Sequence, residues 1–289
     1  VNGKFVGYSE DSKLEAEFDI TKYLVKGKNL IAFQVFRWCD GSYLEDQDFF
    51  RLTGVARDCY LTARPTQNIA DLQLTPDLIN NYSDGTLSIY TKLSGAALKN
   101  NIKFELYQNG QIVASKTQKG TGITILNLKN PAKWTAETPN LYQLYAILLD
   151  KNGNELEVIT QQVGFRTVEI KGAQLLVNGK PILIKGANRH EMDPETGYAI
   201  SRERMLQDIR IMKELNINAV RTCHYPDNNY WYYLCDKYGI YVVAEANVES
   251  HGMGYGEKTL AKRTDYALAH LERNQRNILR NRNHPSVIV

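Results

Sequence analysis

The sequence has no long hydrophobic run and almost no excess of charge of either sign. Its 35 lysines and arginines nearly balance 32 aspartates and glutamates, which leaves a net charge of +3. No apolar stretch approaches the roughly 20 residues of a membrane-spanning helix, and no basic run of the kind that binds nucleic acid is present. We therefore expect no membrane partner and no nucleic-acid partner.

Cysteine is scarce, and its spacing excludes the common cysteine-based sites. Cys39, Cys59, Cys223 and Cys235 form neither a Cys-x-x-Cys pair nor the spacing of a zinc site. We therefore expect free, mostly buried thiols. An initiator methionine and a signal peptide are also missing, and because β-type segments begin at once, we expect the chain to start inside a domain.

The first half of the sequence predicts β-structure. KFVGY, AEFDI, NLIAFQVF and DCYLTA, all within 1–65, are short, rich in β-formers and separated by turn residues, which predicts part of an antiparallel domain. Residues 66–165 contain about seven regularly spaced strand patterns, as expected for an immunoglobulin-like sandwich. This second region has no histidine or cysteine, and we expect its Trp134 to lie in a core or an interface.

Strand and helix patterns alternate in the remaining residues, 166–289. Strands are predicted at PILIKGA, NAVRTCHYP and IYVVAEANVESHG, and SVIV begins another. Helices are predicted at SRERMLQDIRIMKELNI, NNYWYYLCDKYG and DYALAHLERNQRNILRNR. Ser201 is the expected N-cap of the first helix, and Gly239 ends the second. The alternation predicts a parallel sheet equivalent to about half of an eightfold barrel.

Three of the five histidines follow three successive predicted strands: His190, His224 and His251. Active-site residues of such barrels lie at the carboxyl ends of the strands, so we expect these imidazoles to share a pocket. Each one taken alone would more often be a loop or core histidine. The neighbouring polar residues expected in the same pocket are Asn188, Arg189, Glu191, Glu245, Asn247 and Glu249.

The stretch VVAEANVESHG, residues 242–252, places four polar side chains two residues apart. Glu245, Asn247, Glu249 and His251 would face one side of an extended strand. Glu249 and His251 could then hold one ion. A single carboxylate and imidazole are too few for a closed zinc site, and Mg²⁺ with retained waters fits better. A salt-bridged surface pair is the alternative.

A second polar concentration is CDGSYLEDQDFFR, residues 39–51. Its four carboxylates are Asp40, Glu45, Asp46 and Asp48, and the nearby arginines are Arg37, Arg51 and Arg57. The spacing does not match a calcium-binding EF-hand. Two interpretations remain open: a solvated acidic loop neutralised by arginines, or a loop that reaches a neighbouring site.

Several segments resemble glycoside hydrolase family 2, and within it the large bacterial β-galactosidases. They include SYLEDQD, NRHE, CHYP, ESHG and RNRNHPSVIV, and the resemblance runs from end to end. It implies a multidomain β plus α/β fold: the C-terminal part of a jelly-roll sugar-binding domain (1–65), an immunoglobulin-like β-sandwich (66–165) and the first half of a catalytic TIM barrel (166–289). It also implies retaining hydrolysis of terminal β-D-galactosides, and a homo-oligomer is expected.

The same resemblance implies roles for individual residues. Asp48 would contact galactosyl hydroxyls and help to bind Na⁺, His190 and His224 would hold sugar hydroxyls, and Glu249 and His251 would be Mg²⁺ ligands. Both principal catalytic carboxylates, the acid/base and the nucleophile, would lie beyond residue 289, so we expect this fragment alone to be inactive. A β-glucuronidase or β-mannosidase of the same architecture, or a non-catalytic carbohydrate-binding protein, are the alternatives.

Overall fold

The computed structural model describes residues 1–289. A β-sandwich occupies the middle of the chain. Its strands are β1 (Ile69–Ile79), β2 (Asp84–Leu93), β3 (Asn101–Gln108), β4 (Gln111–Lys119), β5 (Gly122–Leu128), β6 (Tyr142–Leu149) and β7 (Glu155–Val163). They pair antiparallel in two sheets, β1-β2-β5 and β4-β3-β6-β7. Burial alternates along β2, where Leu87 and Ile89 enter the core between the sheets.

A small antiparallel sheet leads from the sandwich to the α/β part. Its strands are β8 (Val168–Lys171), β9 (Gln174–Val177) and β10 (Lys180–Pro181). They are ordered β10-β9-β8. Val177 at the end of β9 is buried with Trp134 and Tyr241, so this sheet helps to cover the junction between the two larger parts.

Strands and helices then alternate, as predicted. The elements are β11 (Gly186–Arg189), α1 (Arg202–Glu214), β12 (Ala219–Thr222), α2 (Asn229–Tyr238), β13 (Tyr241–Val243) and α3 (Ala267–Asn281). The three strands form a parallel sheet ordered β11-β12-β13, and Val287 continues it by a parallel bridge to Val242. This order, with a helix between neighbouring strands, is that of successive barrel units. No helix of the chain combines the length and apolarity needed to cross a membrane.

The two predicted helix boundaries are confirmed. Ser201 accepts a hydrogen bond from the amide of Arg204 at 3.1 Å, which satisfies a free donor of the first turn of α1. Gly239 follows α2 with a φ of 73°, a left-handed conformation that favours glycine. Its missing side chain also leaves room for the carbonyl of Ala136, which a β-carbon would overlap.

The first barrel strand lies later than predicted. PILIKGA is the predicted strand, but the parallel ladder begins only at Gly186. The reason lies in Asn218, whose backbone amide donates to the carbonyl of Lys185 at 2.9 Å. Its side-chain oxygen also accepts from the Lys185 amide at 2.8 Å, so a side chain closes the ladder at this end.

The four strands predicted within 1–65 do not form. This segment contains only two short 3₁₀ helices, Thr21–Tyr23 and Asp40–Tyr43. The backbone amide of Asn2 donates to the carbonyl of Leu30 at 2.8 Å, but the β-rich segments form no strand ladder. Their apolar side chains remain exposed, with Phe5 at 80% and Phe33 at 68%. A strand is stabilised by its cross-strand partners rather than by its own composition, so the predicted strand pairing is wrong for these residues.

Trp134 joins the sandwich to the α/β part, which confirms its predicted place in an interface. Its side chain is fully buried, and its indole N–H donates to the backbone carbonyl of Asp236 in α2 at 2.8 Å. The ring meets that of Tyr241 in β13 edge to face, with centroids 5.7 Å apart. A large apolar surface and a satisfied polar tip therefore fix the two parts together.

We predict that Trp134→Ala lowers the free energy of unfolding by about 3–5 kcal/mol, because it leaves a cavity at this junction. Urea titration followed by circular dichroism measures the loss. Trp38→Ala is the matched control, since Trp38 is 59% exposed and should change stability little. Equal losses in the two variants would show that Trp134 does not hold the interface.

Candidate active site

His190 lies directly after β11, at the carboxyl end of the parallel sheet. Its ring stacks on Phe49, with centroids 4.4 Å apart and planes 12° from parallel. Its Nδ1 lies 3.3 Å from the hydroxyl of Tyr225. Burial, followed by the charges of His224 and Lys13, lowers the pKa of His190. The site therefore favours the neutral form of this imidazole and fixes its orientation, and the segment 39–51 supplies one side of the site through Phe49.

His224 follows β12 and lies between two carboxylates. Its Nδ1 is 3.1 Å from Glu245 Oε2, and its Nε2 is 3.3 Å from Glu249 Oε2. The ring is nearly perpendicular to that of His190, with centroids 5.8 Å apart. Arg221 also contacts both Glu245 and the Nδ1 side of this ring. The two imidazoles and Glu249 thus converge on one side of the sheet edge.

The stretch 242–252 does not continue as a strand, so the prediction that its four polar residues share one strand face is wrong. β13 ends at Val243, and His251 begins a 3₁₀ turn. Asn247 is fully buried and turns away from the imidazoles, accepting from Gln47 at 3.1 Å and donating to Asp11 at 2.9 Å. The polar loop leaves the sheet because it pairs with residues of the first domain instead.

The acidic segment 39–51 is the partner of that loop. The amide of Asp46 donates to the carbonyl of Glu249 at 2.8 Å, and the amide of Glu249 donates to the carbonyl of Leu44 at 2.6 Å. Buried Arg273 of α3 binds the Glu45 carboxylate at 2.5 Å and the Asn247 carbonyl at 2.8 Å. The interpretation of a loop that reaches a neighbouring site therefore describes this segment.

The alternative interpretation, in which three nearby arginines neutralise the carboxylates of this segment, is wrong for two of those arginines. Arg51 pairs with Asp46, but Arg57 binds Glu191 instead, and Arg37 stacks on Trp38. Asp48 forms no ion pair and is exposed at the rim.

The pKa of Glu249 is raised by burial and, after it, by the charges of Asp48 and Glu245, while the charges of the two nearby histidines lower it.

Glu249 and His251 offer a donor set that fits a hard cation. Glu249 Oε2 is buried and accepts no hydrogen bond of normal geometry, although it lies 3.3 Å from His224 Nε2. His251 Nδ1 lies 3.8 Å from Glu249 Oε1, and its Nε2 is bound by the hydroxyl of Tyr255. An imidazole held by an outer partner, beside a buried carboxylate, is typical of metal ligands.

Three residues predicted for the pocket face the protein interior instead. Besides Asn247, they are Arg189 and Glu191, which are buried. Arg189 binds Asp227 at 2.8 Å and Asp208 at 3.0 Å. Glu191 binds Arg57 at 2.6 Å and accepts from the Asn228 amide at 2.5 Å. Burial alone would raise the pKa of Glu191, but the two arginines hold it below its usual value.

Sequence reasoning missed a lysine held among aromatic rings. Lys13 Nζ lies 3.9 Å from the centroid of Tyr225, 4.4 Å from that of Tyr198 and 5.9 Å from that of Phe49. Burial, and then the charge of Arg57, lowers the pKa of Lys13 to about 8, while attraction to the rings acts in the opposite direction. Tyr225 could have been noticed in CHYP and Phe49 in LEDQDFF, but Lys13 has no local signal.

Comparison with known proteins assigns the whole chain to one family. The sugar-binding domain of glycosyl hydrolases family 2 matches residues 1–65, a second family 2 domain matches 67–166, and the family 2 TIM barrel domain matches 168–289. The chain is 47% identical to a β-galactosidase of Vibrio vulnificus over 302 residues and 46% identical to one of Photobacterium profundum. All of this chain is covered in each case, but it spans only 29% of the length of these relatives.

Comparison with solved structures supports the same family assignment. A β-glucuronidase of Bacteroides uniformis superposes with a TM-score of 0.72 at 28% identity, covering 84% of this chain and 30% of that one. A β-D-glucuronidase of Dictyoglomus thermophilum superposes with a TM-score of 0.68 at 29% identity, covering 83% and 41%. The fold is that of a multidomain glycoside hydrolase. The chain belongs to glycoside hydrolase family 2, which confirms the resemblance and the predicted fold class.

We predict that Lys13→Met raises the melting temperature at pH 7 by roughly 2–4 °C, equivalent to about 1 kcal/mol. Folding lowers the pKa of Lys13 from 10.5 to about 8. Below pH 8 the charged lysine therefore lowers the stability of the folded state by its full amount. The penalty disappears as the pH rises toward 10.5, and the gain should shrink at pH 10. Scanning calorimetry at both pH values measures it.

Lys4→Met is the control, because Lys4 is exposed and its replacement should have the same small effect at both pH values. A gain for Lys13→Met that is equal at pH 7 and pH 10 would mean that Lys13 is not penalised by its surroundings.

Proposed function

We propose that this chain forms part of the sugar-binding pocket of a retaining β-galactosidase that hydrolyses terminal β-D-galactosides. One observation carries the proposal: His190 and His224, from successive strand ends, converge at 5.8 Å on a rim shared with Glu249. Imidazoles and carboxylates are the donors and acceptors that a hydroxyl-rich ligand needs. The identity of 43–47% to β-galactosidases supports the galactoside.

We assign hydroxyl binding to His190, His224 and Asp48. The Tyr225 hydroxyl and the Phe49 ring orient His190, and the carboxylates orient His224, so both imidazoles are fixed before a sugar arrives. Such preorganised groups contribute most where charge develops in the transition state. Exposed Asp48, without an ion pair, remains available to sugar hydroxyls and to Na⁺, whose oxygen preference a carboxylate satisfies.

Mg²⁺ is the second proposed ion, with Glu249 and His251 as ligands from this chain. The buried Oε2 of Glu249, which accepts no hydrogen bond of normal geometry, supports this assignment. A bound Mg²⁺ would supply a fixed positive charge beside the pocket. Two ligands leave most of an octahedral shell to waters and further carboxylates. We also propose a homo-oligomer, as the family resemblance implies.

The glucuronide alternative receives less support from these residues. A uronate carboxylate needs a cationic partner, but Arg221 is paired with Glu245 and Arg51 with Asp46. Lys13 is enclosed by rings. The structural similarity to β-glucuronidases comes with 24–29% identity, well below that to the β-galactosidases. A β-mannosidase or a non-catalytic sugar-binding protein would be distinguished by the substrate tests below.

We predict no galactoside turnover by the 289-residue chain alone. Retaining hydrolysis needs two carboxyls about 5–5.5 Å apart, acting as nucleophile and acid/base. The nearby candidates are already engaged, since Glu191 binds Arg57, Glu245 binds Arg221, and Glu249 lies against His224. A chromogenic β-galactoside assay is the measurement. Activity that persists in this chain and disappears in Glu249→Gln would contradict the assignment of roles.

We predict that in a protein containing this chain and spanning the length of its relatives, His224→Asn lowers kcat/KM for a β-galactoside by about 10²-fold. His270→Asn is the control, because His270 lies on α3 and binds only the carbonyl of Tyr266. Parallel assays on a β-glucuronide and a β-mannoside identify the preferred sugar. An unchanged kcat/KM in His224→Asn would remove this residue from the pocket, and a preference for the glucuronide would replace the galactoside.

A further inference from the structure

Cys223 meets the two pocket histidines at the edge of the sheet. Its sulfur and one ring nitrogen each of His190 and His224 all lie within 4.8 Å of one another. Cys223 itself is buried, with 2% of its surface exposed. No sequence pattern predicts this grouping, because His190 is 33 residues before Cys223 and the three residues match no zinc spacing.

These three atoms form a donor set different from that of Glu249 and His251. Thiolate and imidazole are ligands for Zn²⁺, Co²⁺ and Cu⁺, whereas carboxylates and waters suit Mg²⁺. Bonds of about 2.3 Å to sulfur and 2.0 Å to nitrogen would bring the three atoms to roughly 3.5 Å from one another. Shifts of about an ångström in side-chain positions would achieve this, so no strand has to move.

We propose that Cys223, His190 and His224 bind a thiophilic divalent cation such as Zn²⁺, with a fourth position open to water. Outer partners for both imidazoles are already in place. The Tyr225 hydroxyl at Nδ1 of His190 leaves Nε2 of that ring for a metal. Arg221 and Glu245 both contact Nδ1 of His224 and orient the ring, so a metal would bind at Nε2, where Glu249 now lies.

Metal binding needs the thiolate, so a bound cation displaces the proton of Cys223, which is released to solvent. Thiolate and imidazole donors favour thiophilic cations over hard ones. One consequence rests on the proposed function: a metal here would occupy the two imidazoles assigned to sugar hydroxyls and so compete with galactose.

Titration of the 289-residue chain with Co²⁺ tests the site without any activity measurement. We expect a thiolate-to-Co²⁺ charge-transfer band that saturates at one equivalent and is displaced by Zn²⁺. Cys223→Ser should abolish the band. Cys59→Ser is the matched control, because Cys59 is an exposed free cysteine outside the cluster, and this variant should keep the band. His190→Gln should weaken Co²⁺ binding at least about tenfold.

Circular dichroism checks that each variant is folded. If Cys223→Ser does not fold, His190→Gln decides, since it leaves the buried thiol in place. The proposal is overturned by a wild-type chain that shows no charge-transfer band, by a band that survives in Cys223→Ser, or by full affinity in folded His190→Gln. Failure of galactose to compete with Co²⁺, while the band behaves as expected, would contradict only the sugar-binding role of the histidines.

Discussion

The ion pair between Arg189 and Asp227 is the contact on which the site depends. Arg189 ends β11 next to His190, and Asp227 follows the turn that carries His224, so their 2.8 Å contact sets the spacing of the two imidazoles. Arg57 extends the cluster to the first domain through Glu191. Arg189, Asp227 and Glu191 are buried, whereas Arg57 is partly exposed. Removing one partner of the buried Arg189–Asp227 pair costs about 3–5 kcal/mol.

Local patterns identified the elements of the α/β part, because α1 begins at a capping serine and α2 ends at a glycine. Ser201 caps α1 with its own side chain, and Gly239 ends α2 through its own backbone conformation. Both boundaries could therefore be predicted from the sequence alone. Strand limits depend on neighbours, and this is where prediction failed. Asn218 moved the start of β11, and pairing with the acidic segment ended β13 at Val243. The strands expected in 1–65 formed no ladder with a neighbouring strand.

The candidate site was predicted only in part, because some of its residues are placed by neighbours that are distant in the sequence. His190 and His224 were found because strand ends of a parallel sheet meet at one edge. Arg189 and Glu191 belong to the same segment but face inward, and only their burial and partners reveal it. Lys13 and Phe49 come from a distant part of the chain, and no spacing rule connects them to a barrel strand.

The β-bridge between Glu45 and Glu249 also affects the order in which the parts of the chain can fold during synthesis. During synthesis the acidic segment emerges first, and 204 residues separate Glu45 from Glu249. At about 5–20 residues per second, a ribosome needs roughly 10–40 s to supply its partner. Throughout that interval the carboxylates of 39–51 keep the early chain hydrated, while the sandwich, whose strands are contiguous, can fold. The pocket is thus a late product of translation.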